Sequence, residues 1–201
     1  MGLPKPKNRK AMNATSKRIK KAYGQVLFLI ALVSIALGAC EKNEPAEGFS
    51  RLKVVMHDTA ADYQAVNVEI IGAMACVHSN GDSGWYALEV NSGVYNLLEL
   101  QNGIDTVLVN DTEIPSGHLT QLRLILGDSN SVVLSNDTQL LPMKTPSAQQ
   151  SGLKINVNQA LLPGKEYEIT LDFDAYHSVI LKGNNEFQLK PVIKIDQLIA
   201  L

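Results

Sequence analysis

The sequence predicts an all-β protein, a single antiparallel β-sandwich, behind an N-terminal lipoprotein signal peptide. Three observations predict it. A basic leader is followed by an apolar run that stops at Cys40. From residue 51 onward, short apolar or alternating runs recur, as strands do when one face is buried. Gly, Pro, Asn, Asp and Ser separate those runs, and each of these residue types suits a turn.

The leader carries Lys5, Lys7, Arg9, Lys10, Lys17, Arg18, Lys20 and Lys21, and residues 26–37 are apolar apart from Ser34. That is the order of an export signal, and the run is shorter than the ~20 apolar residues a bilayer-spanning helix needs. Met12 offers a second start that leaves this reading intact. The run ends in Leu37-Gly38-Ala39-Cys40, which resembles the bacterial lipobox. There a thiol forms the thioether to lipid, and the small residues before it fit the peptidase that cuts ahead of the cysteine. Two or three acyl chains hold a protein on a membrane without a spanning helix. The expected organisation is therefore signal peptide at 1–39, lipidated Cys40 with a polar tether through residue 50, and one domain over 51–201.

Charge divides at the same place. Eight of the 18 Lys and Arg residues precede Cys40 and all 20 acidic residues follow it, so residues 40–201 carry a formal charge of −10. Such a surface repels phosphate backbones, which argues against nucleic acid as a partner. With Cys40 lipidated, Cys76 has no partner in the chain, and neither a disulfide framework nor a thiolate metal site can be built.

Within the domain, strands are expected at 52–56, which carries Val54 and Val55, and at 66–78, which carries Val66, Val68, Ile70, Ile71 and Val77. Runs at 85–90, 95–100 and 106–109 follow Gly84, Gly93 and Gly103. Residues 119–126, apolar nearly throughout from Leu122, suit a central strand. Gly127-Asp128-Ser129-Asn130 reads as a hairpin turn into 132–134, followed by short runs at 139–141 and 153–157. In 167–173 the residues Tyr167, Ile169, Leu171 and Phe173 share one face and Glu168, Thr170 and Asp172 the other, a half-buried strand with one wet face. Lys182-Gly183-Asn184-Asn185 reads as a second hairpin, between 179–181 and 187–189, and 192–198 closes the series. Helix is expected to be sparse, limited to a turn at 158–161 or 146–150. Two segments, Ile114-Pro115-Ser116-Gly117 and Leu162-Pro163-Gly164, run apolar, Pro, Gly into a strand. Such turns suit transthyretin-like or immunoglobulin-like sandwiches.

Five segments, in order, resemble the bacterial family called domain of unknown function 4382, common among Bacteroidetes lipoproteins. They are Met56-His57-Asp58-Thr59-Ala60-Ala61-Asp62-Tyr63, Gly117-His118-Leu119-Thr120-Gln121-Leu122-Arg123-Leu124, Gln149-Gln150-Ser151-Gly152-Leu153-Lys154, Leu171-Asp172-Phe173-Asp174-Ala175 and Leu189-Lys190-Pro191-Val192-Ile193. The resemblance spans residue 51 to about 194 and implies an exported β-sandwich with no assigned activity. It departs from the family's Leu-Thr-Asp-Ala-Pro at Met56-His57-Asp58-Thr59-Ala60.

Candidate chemistry is thin. Asp172 and Asp174, two apart with His177 close behind, could offer oxygens to a hard cation; a solvated acidic face is the plainer reading. His57 and Asp58 are adjacent, so on a strand they point to opposite faces and make a poor acid/base pair. The histidines at 57, 78, 118 and 177 show no zinc spacing, and neither a Gly-rich phosphate loop nor a nucleophile elbow is present. No cofactor is expected and no enzyme activity. Trp85 and Tyr86 after a polar loop could stack on a sugar ring, or bury in the core. The leading expectation is a membrane-anchored cell-surface binding or adhesion module of the bacterial outer membrane, with membrane lipid on Cys40 and a glycan or envelope protein as partner. An accessory subunit of an envelope assembly is the alternative, and a metal-dependent enzyme comes third.

Overall fold

The computed structural model describes residues 48–59, 61–145, 151–183 and 186–201. The expected signal peptide, Cys40 and the expected tether through residue 47 lie outside them, as does the turn expected at 146–150. Among the described residues there are thirteen strands: β1 (Phe49–His57), β2 (Tyr63–Ser79), β3 (Asp82–Ala87), β4 (Gly93–Asn96), β5 (Thr106–Pro115), β6 (Gly117–Leu126), β7 (Ser131–Leu134), β8 (Leu141–Lys144), β9 (Leu153–Leu161), β10 (Glu166–Phe173), β11 (Val179–Leu181), β12 (Phe187–Leu189) and β13 (Ile193–Ala200). The described residues also include a 3-10 turn at Leu97–Leu100 and one short helix, α1 (Ala175–Ser178).

The strands form an all-β sandwich. One sheet runs β13-β10-β1-β5; in the other, β11-β12-β8-β7-β2-β6-β9 are hydrogen-bonded in succession, with β7 and β6 end to end along one edge of β2 and β4 and β3 along its other edge. Leu52, Val54 and Met56 of β1 and Tyr167, Ile169, Leu171 and Phe173 of β10 share one core with Val66, Val68 and Ile70 of β2 and Leu122, Leu124 and Leu126 of β6. Pairing is antiparallel except at β1–β10 and β8–β12, which are parallel. Those partners lie far apart in the chain, which allows the long crossover that a parallel pair requires.

β2 is the spine of the larger sheet. Val66, Val68 and Ile70 face inward, then Ala73, Ala75 and Val77, because a bulge between Ile70 and Gly72 shifts the phase and leaves Ile71 exposed. The register corrects the hairpin expected at Gly127-Asp128-Ser129-Asn130. Ile70 lies opposite Leu126 of β6, and Asn67 opposite Ser131 of β7, both antiparallel and both across β2 from β4. β6 and β7 thus continue along one edge of β2 rather than folding back. The intervening residues wrap Glu69, whose carboxylate accepts from Ser129 N at 2.8 Å while Gly127 N donates to Glu69 O at 2.9 Å. β3 and β4 likewise succeed each other along the opposite edge.

Other expectations shift at their ends. The strand expected at 95–100 turns at Asn96, whose side chain accepts from Leu98 N and starts the 3-10 turn. β9 runs on through Leu161, so residues 158–161 are strand, and β8 lies at Leu141–Lys144 rather than 139–141. The Lys182 hairpin forms as expected, with Lys182 N donating to Glu186 O at 2.8 Å between antiparallel β11 and β12. The wet face expected for β10 is largely covered. As a central strand between β1 and β13, β10 keeps Thr170 and Asp172 buried.

The two Pro-Gly turns clamp the start of β1. Ser116 N donates to Gly48 O at 2.9 Å and Gly164 N to Phe49 O at 2.8 Å. Buried Ser50 completes the clamp, its hydroxyl 2.8 Å from that of Ser116 and donating to Leu162 O at 2.9 Å.

Candidate functional site

On the outer face of the larger sheet, Trp85 of β3 lies opposite Cys76 of β2, which lies opposite Gln121 of β6. Arg123, one inward-outward period further along β6, reaches back over β2 and sets its guanidinium 4.0 Å from the centre of the Trp85 ring. Contact between a cation and the negative face of an indole is favourable, by ~0.5–2 kcal/mol depending on exposure. A second surface holds the arginine. Gly152, in the left-handed conformation at φ 71°, lies so close that a Cβ there would fall 2.5 Å from Arg123 Cγ. Only glycine fits against this stem without displacing it. The Nε of Arg123 is buried and without a hydrogen-bond partner among the described residues.

Lys154 of β9 stands directly opposite Arg123 and is exposed. Beside this pair the β6–β9 ladder presents polar side chains: Gln121 Nε2 donates to Asn156 Oδ1 at 3.2 Å, and His118 Nε2 lies 2.7 Å from Asn158 Oδ1. The inward residues of the same strands, Leu122, Leu124, Ile155 and Val157, are buried. The ladder therefore faces away from the core.

Tyr86 does not share this face. Strand alternation turns it inward opposite Ala75, where it packs partly buried against the core and lies over Gly84. The structure separates the aromatic pair and gives Trp85 a partner, Arg123, 38 positions away in the sequence. Trp85 is half-buried rather than a core residue, and Cys76 beside it is a free, half-buried thiol.

A second polar cluster closes the far end of the smaller sheet. Asp58, after β1, accepts from Ala175 N at 2.8 Å through Oδ1 and from Gln101 Nε2 at 3.0 Å through Oδ2. Burial pushes its pKa from the ordinary 3.8 up to about 6; the two donors oppose that shift, and the nearby charges of Asp172 and Asp174 add to it. Asp172 accepts from Thr59 Oγ1 at 2.9 Å and pairs with Lys194 at 2.9 Å, which raises the pKa of Lys194. Asp174 caps α1, accepting from His177 N at 3.0 Å and lying 2.7 Å from His177 Nδ1. Burial raises the pKa of Asp174, but the bonds to His177 and the charge of Lys194 outweigh it and leave the carboxyl below its ordinary range.

The candidate cation ligands are therefore distributed, not gathered: Asp174 is with His177, Asp172 with Thr59 and Lys194. Among the described residues no group of three or more His, Cys, Asp or Glu has the geometry to hold a metal ion. His57 turns away from Asp58 to within 3.6 Å of Asp196.

Fold and site together define a two-sheet β-sandwich domain with one aromatic-cationic outer face and one buried acidic knot. The chain belongs to the family described as domain of unknown function (DUF4382), whose family model matches residues 49–191. No curated protein and no solved structure matches it. Parts of the segments that resemble the family gather at these two places. Asp58 and Thr59, Asp172 and Asp174, and Val192, whose carbonyl accepts from Asp174 N at 2.9 Å, form the acidic knot. Arg123, Gly152 and Lys154 form the outer face.

Proposed function

We propose that the protein is a lipoprotein of the bacterial cell envelope, held on the outer membrane through acylated Cys40, whose sandwich domain acts by binding. The ligand is a glycan of the envelope or of a neighbouring surface, and the docking face is that of Trp85, Arg123, Gln121 and Asn156. The observation that carries the reading is the fixed Arg123 guanidinium on Trp85 beside a ladder of outward amides. Planar polar groups next to an aromatic surface suit hydroxyl-rich, partly apolar sugar rings. The leader, the apolar run and Leu37-Gly38-Ala39-Cys40 support the address. Binding rather than catalysis is favoured because the buried carboxylates serve the fold: Asp58 ties β1 to α1, and Asp172 ties Thr59 to Lys194.

The test is a screen of the purified full chain, in detergent micelles, against immobilised envelope glycans and envelope proteins at several salt concentrations, with Trp85→Ala in parallel. Binding to a glycan that weakens roughly tenfold or more in Trp85→Ala supports the reading. No binding at any salt concentration, or binding indifferent to Trp85, overturns it.

A further inference from the structure

We propose that this face recognises a single carboxylate on its ligand, so that the ligand is a glycan bearing an acidic sugar of the uronic or sialic type. The inference rests on the binding reading above and names the ligand class of that same face. It starts from how this chain arranges charge across its strands. In the smaller sheet Arg51 stands opposite Glu166, Lys53 opposite Glu168 and Lys194 opposite Asp172, and each is an ion pair, at 3.9, 2.7 and 2.9 Å. In the larger sheet Arg123 stands directly opposite Lys154, like charge against like. Directly opposed like charges destabilise a sheet. Neither residue makes an ion pair among the described residues, although acidic residues outnumber basic ones two to one after Cys40. Their strand neighbours on this face, Met74, Cys76, Gln121 and Asn156, carry no negative charge.

Geometry makes the pair a receptor. The guanidinium carbon lies 4.0 Å from the centre of the Trp85 ring and Nε is buried, which leaves the terminal Nη groups as the direction of further bonding. A carboxylate meets such a pair of groups with two parallel hydrogen bonds. Gly152 behind the stem and the indole beneath the head fix the rotamer before any ligand arrives, which lowers the entropic cost of binding. Lys154 supplies a second, mobile positive charge to the same anion, while Gln121 and Asn156 are placed for sugar hydroxyls. The formal charge of −10 after the cysteine selects against dense polyanions. Its reach is screened within ~8 Å at physiological salt, so one carboxylate at this pair feels mainly the two cations.

The test is NMR titration of the full chain in micelles with four probes: methyl β-glucuronoside, its methyl ester, methyl β-glucoside and 3′-sialyllactose. The proposal expects methyl β-glucuronoside or 3′-sialyllactose, or both, to bind and to shift the Arg123 and Trp85 side-chain signals; which one binds identifies the acidic sugar. The ester and the glucoside should bind roughly tenfold more weakly or not at all. Lys154→Gln, a surface change that leaves packing untouched, should weaken the acidic probe severalfold, and Arg123→Gln and Gly152→Ala more. Equal binding of acidic and neutral probes overturns the carboxylate inference and leaves the glycan reading standing. Failure of both acidic probes to bind overturns the inference as well, and if the glycan screen also fails the binding reading falls with it.

Discussion

Asp58→Asn is the perturbation whose sign follows most directly from the structure. The carboxyl is 4% exposed and burial holds its pKa at about 6, against 3.8 ordinarily. Between those values the unfolded chain has lost this proton and the folded protein has kept it, so folding binds a proton and stability falls as pH rises. The contribution is fully present below pH 3.8 and lost as pH passes about 6. A shift of this size corresponds to an upper figure of ~3 kcal/mol, and residual solvation brings the expectation to roughly 1–3 kcal/mol. Asparagine is neutral throughout and nearly the same shape. Its Oδ1 can keep the Ala175 N–H, and its Nδ2 can donate to Gln101 once that amide turns over. Urea denaturation of both proteins from pH 4 to pH 7.5 isolates the effect, because the other carboxylates cancel in the difference. The variant should match the wild type near pH 4 and exceed it by roughly 1–3 kcal/mol at pH 7.5. A difference that is flat with pH, or one in which asparagine loses ground as pH rises, would refute the account of Asp58 as a carboxylate that is costly to ionise.

Two further changes test the packing that holds the fold. Gly117→Ala would place a Cβ 2.2 Å from the backbone oxygen of His78 at a φ of 150°, and should cost ~2–4 kcal/mol in denaturant midpoint analysis. Gly81→Ala, at φ 85° with nothing within 4 Å, should cost only the conformational ~1 kcal/mol; equal losses at the two sites would contradict the steric argument. Ser50→Ala removes the hydroxyl that joins Ser116 to Leu162 O and should lower stability by ~1–3 kcal/mol, because the buried partners lose their bonds. Thermal unfolding at one pH checks this, and an unchanged midpoint would show that the two Pro-Gly turns hold β1 without it.

The sequence revealed strands better than it revealed their partners. Short apolar runs marked β1 and β6 and a period-two run marked β10, because each has one face in the shared core. Alternation failed at β2, where the Ile70–Gly72 bulge changes the phase, and a local pattern cannot distinguish a bulge from a strand buried on both faces. Gly127 to Asn130 has hairpin chemistry, yet Glu69, 60 residues away, takes up its backbone donor and lets β7 continue beside β2. Asp172 was expected on a wet face because nothing local reveals that β10 lies between two other strands. The outer site was half legible. Trp85 stood out as the lone tryptophan, but its partner is set by the register of β3, β2 and β6, which brings Arg123 over the indole. The opposed like charges that mark the site exist only once β6 pairs with β9.

The proposed envelope-anchored binding role depends first on Cys40. The direct measurement is metabolic labelling with an alkyne fatty acid in wild type and Cys40→Ala, followed by protease treatment of intact cells. The account predicts label on the wild type, none on the variant, and digestion of the wild-type domain from outside. Equal labelling of the two proteins, no labelling of either, or a labelled domain that protease cannot reach would contradict it.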